Sequence, residues 1–170
     1  MTGTTTLTLG GLLAALVVLV ANLHPWYRGG REMKQLAAFG KGFTGAALAA
    51  ACPGGILGWS HTHTGGLANG TGGSISKGTT GMTSTGTLTS GRLTGLGVTG
   101  AIVVVLGVLL VALAYKAAPK ADKRRIVGGA FVGSVFLLTA GVAGALVWLP
   151  GALNGTGDAI VAAFQGAGVL

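Results

Sequence analysis

Apolar residues fall in four stretches that carry no charged side chain: Met1–Leu23, Gly42–His61, Leu93–Tyr115 and Ile126–Leu149. Within them apolar positions follow one another directly, as in Ala101–Ala114 and Val135–Leu149. Strands of a membrane barrel alternate apolar and polar side chains over ~10 residues, so this pattern reads as helix. At ~1.5 Å per residue each stretch reaches about 28 to 36 Å. The hydrocarbon core of a bilayer is ~30 Å thick and takes ~20 apolar residues. The pattern predicts an all-α integral membrane protein with four transmembrane helices. The second stretch is rich in Ala and Gly and is interrupted by Cys52-Pro53-Gly54-Gly55.

The order of features repeats. Met1–Leu12 reads MTGTTTLTLGGL and Met82–Leu93 reads MTSTGTLTSGRL, identical at eight of twelve positions. Each copy precedes an apolar span, a basic loop and a second apolar span that ends near a tryptophan, Trp59 or Trp148. Each then reaches Asn-Gly-Thr-Gly, at Asn69–Gly72 and Asn154–Gly157. Two spans per copy give both copies the same orientation, a parallel repeat about an axis along the membrane normal. The expected organisation is two tandem helical hairpins. The first covers residues 1–72 and the second 82–157, with a Gly/Thr/Ser-rich outer linker over 60–92 that overlaps the repeat ends. A short interfacial tail follows over 158–170, with Ala159–Phe164 as a short helix. Ser60–Arg92 holds only Leu67, Ile75, Met82 and Leu88 as sizeable apolar residues, so it is expected to be mostly irregular.

Charge sets the orientation. Arg28, Arg31, Lys34 and Lys41 lie between the first two spans, and Lys116, Lys120, Lys123, Arg124 and Arg125 between the last two. Only Lys77 and Arg92 lie elsewhere. Basic loops mark the cytoplasmic side, so the two loops are expected inside and both termini outside. Met1–Leu23 lacks the basic leader of a cleaved secretory signal, and its positives follow it, which reads as a first span.

Of 170 residues, half are hydrophobic and 8% are charged, against roughly 25% charged in soluble domains. The carboxylates are Glu32, Asp122 and Asp158, none inside an expected span. Intramembrane ionisable residues mark proton and ion pathways, so a proton-coupled pump does not fit. No paired carboxylates, phosphate loop or dinucleotide fingerprint is visible, and neither an enzyme nor a resident cofactor is expected. Glu32 stands four residues from Arg28, the spacing of a helical ion pair. His61-Thr62-His63 is expected to be an interfacial loop rather than a metal site. Cys52 is the single cysteine; Leu48-Ala49-Ala50-Ala51-Cys52 resembles a lipoprotein box, but a helix contact is the preferred reading. His24-Pro25-Trp26-Tyr27-Arg28 has the residues of a headgroup-level anchor.

Small residues four apart, Gly54/Gly58, Gly97/Ala101 and Gly129/Gly133, are candidates for close helix packing and self-association into a homo-oligomer. The basic residues Arg28, Arg31, Lys34, Lys116, Lys120, Lys123, Arg124 and Arg125 are candidates for contact with anionic lipid or a polyanion.

The four-span layout, the net charge of +8 and the Gly/Ala/Thr/Val bias resemble the small multi-pass spread proteins of actinobacterial conjugative plasmids. That resemblance implies a non-enzymatic, self-assembling or pore-like accessory of plasmid DNA transfer, with a DNA translocase or DNA itself as partner. Leu93–Leu149 also resembles a conjugative pilin, with two apolar helices around a basic loop. A phage holin is the third alternative, with membrane permeabilisation as its function.

Overall fold

The computed structural model of the chain describes residues 6–167. Among these residues it is all-helical, with extended pairing confined to two isolated bridges. The helices are α1 (Leu9–Arg28), α2 (Met33–Ala51), α3 (Gly55–Thr80), α4 (Val98–Ala117), α5 (Lys120–Phe136), α6 (Ala140–Ala145) and α7 (Leu149–Gly166).

Two helices, α1 and α4, are long and apolar enough to cross a membrane. Both leave most of their apolar surface uncovered. Val20 on α1 is 62% exposed, and Val105 and Leu110 on α4 are 61% and 66% exposed. The buried core of a soluble protein would hide such side chains, because burial of a Leu or Val contributes about 1.5–3 kcal/mol. What α1 does bury is small: Gly10, Gly11, Ala14 and Ala15, all in its first half.

The centre of the bundle is the pair α2–α5. The carbonyl of Ile126 rests against Gly42, and the carbonyl of Phe39 rests against Gly129. A methyl on Gly42 would also lie 2.8 Å from the Ala130 nitrogen, and one on Gly129 would lie 3.1 Å from the Phe43 nitrogen. Each contact is the other with the two helices exchanged, 87 residues apart. Further along, a methyl on Gly133 would sit 2.9 Å from Ala46 Cβ. Later positions meet later positions, so α2 and α5 run parallel about a local two-fold axis. Against α4, α2 runs the other way: Gly45 faces Val111 and Gly107 faces Leu48.

Several sequence expectations are corrected. The linker expected to be irregular from Ser60 is helical through Thr80, as part of the 26-residue α3. Its small face, Gly58, His61, Gly65, Ala68, Gly72 and Ser76, is buried. Its hydroxyls bond back onto its own carbonyls, as Thr64 Oγ1 does to Ser60 O (2.8 Å) and Thr80 Oγ1 to Ser76 O (2.8 Å). The fourth span is not one helix: it breaks at Leu137–Thr139 between α5 and α6. The second ends at Ala51 and resumes at Gly55, where φ is +68°. The expected short tail helix is instead the second half of α7, and residues 168–170 lie outside the described residues. Within the first expected hairpin α1 lies mainly on α3, within the second α4 lies mainly on α7, and the pair α2–α5 joins the two.

The chain between α3 and α4 is extended and knits the bundle together. Leu88 N donates to Leu7 O (2.8 Å) and Leu9 N to Gly86 O (2.8 Å). Gly91 N donates to Leu138 O (2.9 Å) and Ala140 N to Thr89 O (3.0 Å). The second pair takes up backbone groups freed at the break between α5 and α6, which would otherwise be buried without partners. Of the two similar stretches, beginning at Met1 and Met82, the described residues Leu7 and Leu88 are paired with each other. Residues 1–5 lie outside the described residues.

Candidate functional site

Because α2 and α5 run parallel, their N-termini share one end of the bundle, and the elbows that enter them lie together there. That end collects every basic candidate: Arg28, Arg31 and Lys34 at the first elbow, and Lys116, Lys120, Lys123, Arg124 and Arg125 at the second. All are exposed except Lys123 and Arg125, which are half-buried.

The two elbows are built alike. Tyr27, in the last turn of α1, lies under the Arg31 guanidinium, 4.9 Å from the ring centroid. Tyr115, in the last turn of α4, lies under Lys123 Nζ at 5.7 Å. Such stacking holds a cation against an aromatic face. The first elbow turns through Gly30 (φ +82°) and Arg31 (φ +59°), with Arg31 N donating to Trp26 O at 3.1 Å. Arg125 Nη1 donates to Asp122 Oδ1 at 3.0 Å, the one salt bridge among the described residues. The expected Arg28–Glu32 pair is not formed. Helix α1 ends at Arg28, so the two are not on one helix, and Glu32 accepts a weak bond from Gln35 Nε2 at 3.5 Å.

At the opposite end the Asn-Gly-Thr-Gly repeats do matching work. Asn69 Oδ1 accepts from Thr8 N (2.9 Å) and Thr8 Oγ1 (3.0 Å), and its Nδ2 donates to Thr6 O (2.8 Å). Asn154 Oδ1 accepts from Gly97 N (2.8 Å), and its Nδ2 donates to Gly95 O (2.8 Å). Thr8 and Gly97 are the N-cap residues of α1 and α4. Each asparagine thus grips the cap N–H and the carbonyl two residues before it. The last glycine of each motif permits the close approach: Gly72 lies against the Gly10 carbonyl and Gly157 against the Thr99 carbonyl, both two residues after the cap. Sequence reading found these motifs as landmarks but missed the role of their asparagines; side-chain amides set at one place in both copies were the available signal.

The small-residue candidates divide. Gly129 and Gly133 pack on α2 as expected. Gly54 has open space around it and Ala101 is exposed, so neither meets a helix. Gly58 faces the Cys52 carbonyl of its own connection, and Gly97 is a cap beside Asn154. A pattern of small residues four apart cannot tell a helix contact from a break or a cap. Gly42 and Gly72, which do carry contacts, were not singled out.

His61 and His63 are on a helix, not in a loop, and diverge around it. His61 is buried and its Nδ1 has no partner, whereas His63 stacks on Trp59 with centroids 4.7 Å apart. Side chains two apart on a helix do not converge on one ion. Cys52 closes α2, its Sγ 3.6 Å from Leu48 O, and Ala49, Ala50 and Ala51 before it are buried. No protein-family model, curated protein or solved structure matches this chain.

Proposed function

We propose that this is a non-enzymatic multi-pass membrane protein that presents a basic cytoplasmic end to a polyanion, DNA in the first instance, and supports its passage by assembling with further copies. In this reading α1 and α4 are the first and third crossings. The second runs through α2 into α3 and the fourth through α5 into α6, each interrupted by a break. Interrupted helices occur at membrane depth where protein covers the freed backbone. Both termini lie outside and both basic elbows inside.

The observation that carries the reading is the parallel packing of α2 on α5. It gathers the two basic loops at one end, as an even number of crossings between them requires. The same packing bears on how passage would occur. The glycine faces of α2 and α5 meet backbone to backbone, leaving no channel between them, so a conduit would form between copies.

The test uses purified protein and duplex DNA. Replacing Lys120, Lys123, Arg124 and Arg125 with Gln removes up to four phosphate contacts, and the slope of log affinity against log salt should fall by up to about 0.9 per lost contact. An unchanged slope in a correctly oriented variant removes DNA from the proposal.

A further inference from the structure

The first elbow is continuous with a feature of α1 that polyanion binding does not use. Leu16, Val17, Val20, Ala21 and His24, all exposed, form a shallow and largely open apolar groove along one face of α1. Its lining is apolar until His24, at the elbow end, beyond which come Tyr27, Arg28 and Arg31. From Leu16 to His24 the helix rises about 12 Å. One leaflet of the hydrocarbon core is about 15 Å deep. The groove therefore has the reach of an acyl chain, and Arg28, four residues beyond His24, continues the same face of the helix.

Those cations are available. Among the described residues none of Arg28, Arg31 and Lys34 takes part in an ion pair, although Glu32 lies between them. The Tyr27 ring holds the Arg31 guanidinium at the elbow, 4.9 Å from its centroid. A cation fixed over an apolar ring at the end of an apolar groove fits a phosphate that carries a hydrocarbon chain. Free nucleic acid would leave the groove empty.

We infer that the face of α1 from Leu16 to His24, closed by Arg28, Arg31 and Lys34, binds one anionic phospholipid of the inner leaflet. The acyl chain lies in the groove and the phosphate meets Arg28 and Arg31, with Lys34 at its edge. This rests on the membrane reading above and adds a partner to it. The first elbow is committed to lipid, which leaves the second, with Lys116, Lys120 and Arg124 exposed, to face the cytoplasm.

Trp26 lies in the last turn of α1 and reports on this place once Trp59→Phe and Trp148→Phe remove the other tryptophans. The full-length protein is reconstituted in vesicles of equal parts phosphatidylglycerol and phosphatidylcholine, with brominated chains on one lipid or the other. Bromine on the anionic lipid should quench Trp26 more strongly. Each well-placed cation contributes up to about a fivefold preference. Arg28→Gln, Arg31→Gln and Lys34→Gln together should bring the two lipids to equal quenching while the second basic loop preserves orientation. Ala21→Phe, which fills the groove and keeps every charge, should also lower the preference. Equal quenching in the unaltered elbow, or a preference that survives either change, overturns the lipid site and leaves the membrane reading intact. No quenching by either lipid overturns both, because α1 would then not lie in the bilayer.

Discussion

A single methyl group on Gly42 or Gly129 should loosen the α2–α5 pair, whereas one on Gly40 of the same helix should not. At Gly42 the added carbon would overlap the Ile126 carbonyl and stand 2.8 Å from the Ala130 nitrogen. At Gly129 it would overlap the Phe39 carbonyl and stand 3.1 Å from the Phe43 nitrogen. These neighbours are backbone, so a rotamer change cannot relieve the contact and the helices must separate. Overpacking of this kind costs about 1–3 kcal/mol. Replacing Gly by Ala inside a helix returns about 0.8–1 kcal/mol of propensity. The net expectation for Gly42→Ala and for Gly129→Ala is a loss of up to about 2 kcal/mol, similar in the two because the contacts are reciprocal. Gly40 has nothing within 4 Å of the new methyl, so Gly40→Ala keeps the propensity gain alone. Thermal unfolding in detergent micelles, followed by far-UV circular dichroism, is the assay; each kcal/mol moves the midpoint by about 2–4 °C at this size. Equal midpoints for all three variants would refute the close approach. A loss confined to one of Gly42→Ala and Gly129→Ala would refute its two-fold character.

Asn69→Ala removes three hydrogen bonds and Asn154→Ala two, at about 0.5–1.5 kcal/mol each before discounting for solvent access. In the same unfolding assay Asn69→Ala should be the more harmful, and the reverse order would argue against the clamp geometry. Gly91→Ala would put a methyl 2.5 Å from Ala143 Cβ and 2.6 Å from the Thr139 carbonyl, so it should expel the extended segment from the break between α5 and α6. Limited proteolysis within residues 81–97 should then become faster, and unaltered cleavage would count against that insertion.

What could be read from the chain was set by side chains that act alone. The apolar runs of α1 and α4 and the nine cations of the two loops are visible residue by residue. Helix α3 was not legible, because Gly, Thr and Ser each disfavour a helix in isolation. In the structure those residues allow close approach to α1, and the hydroxyls bond within the helix, so tertiary packing overrides propensity. The two-fold pair was hidden for another reason. Across Phe39–Leu48 and Ile126–Val135 only Gly42 and Gly129 are identical at equivalent places, since a backbone contact constrains just the residue that must lack a Cβ. The likeness at Met1 and Met82 was easy to see, yet its offset of 81 residues differs from the 89 that relates caps Thr8 and Gly97. Among the described residues, that similarity includes Leu7 and Leu88, which are paired with each other.

The central claim is that both basic elbows face the cytoplasm, which requires the chain to cross the membrane twice between them. Single cysteines at Lys34, Lys120 and Thr80, each in a Cys52→Ala background, can be probed in intact cells with a membrane-impermeant thiol reagent. The account expects the cysteine at Thr80 to be labelled, and those at Lys34 and Lys120 to be labelled only after the cells are opened. Labelling of one elbow but not the other in intact cells would place the two on opposite faces and contradict it.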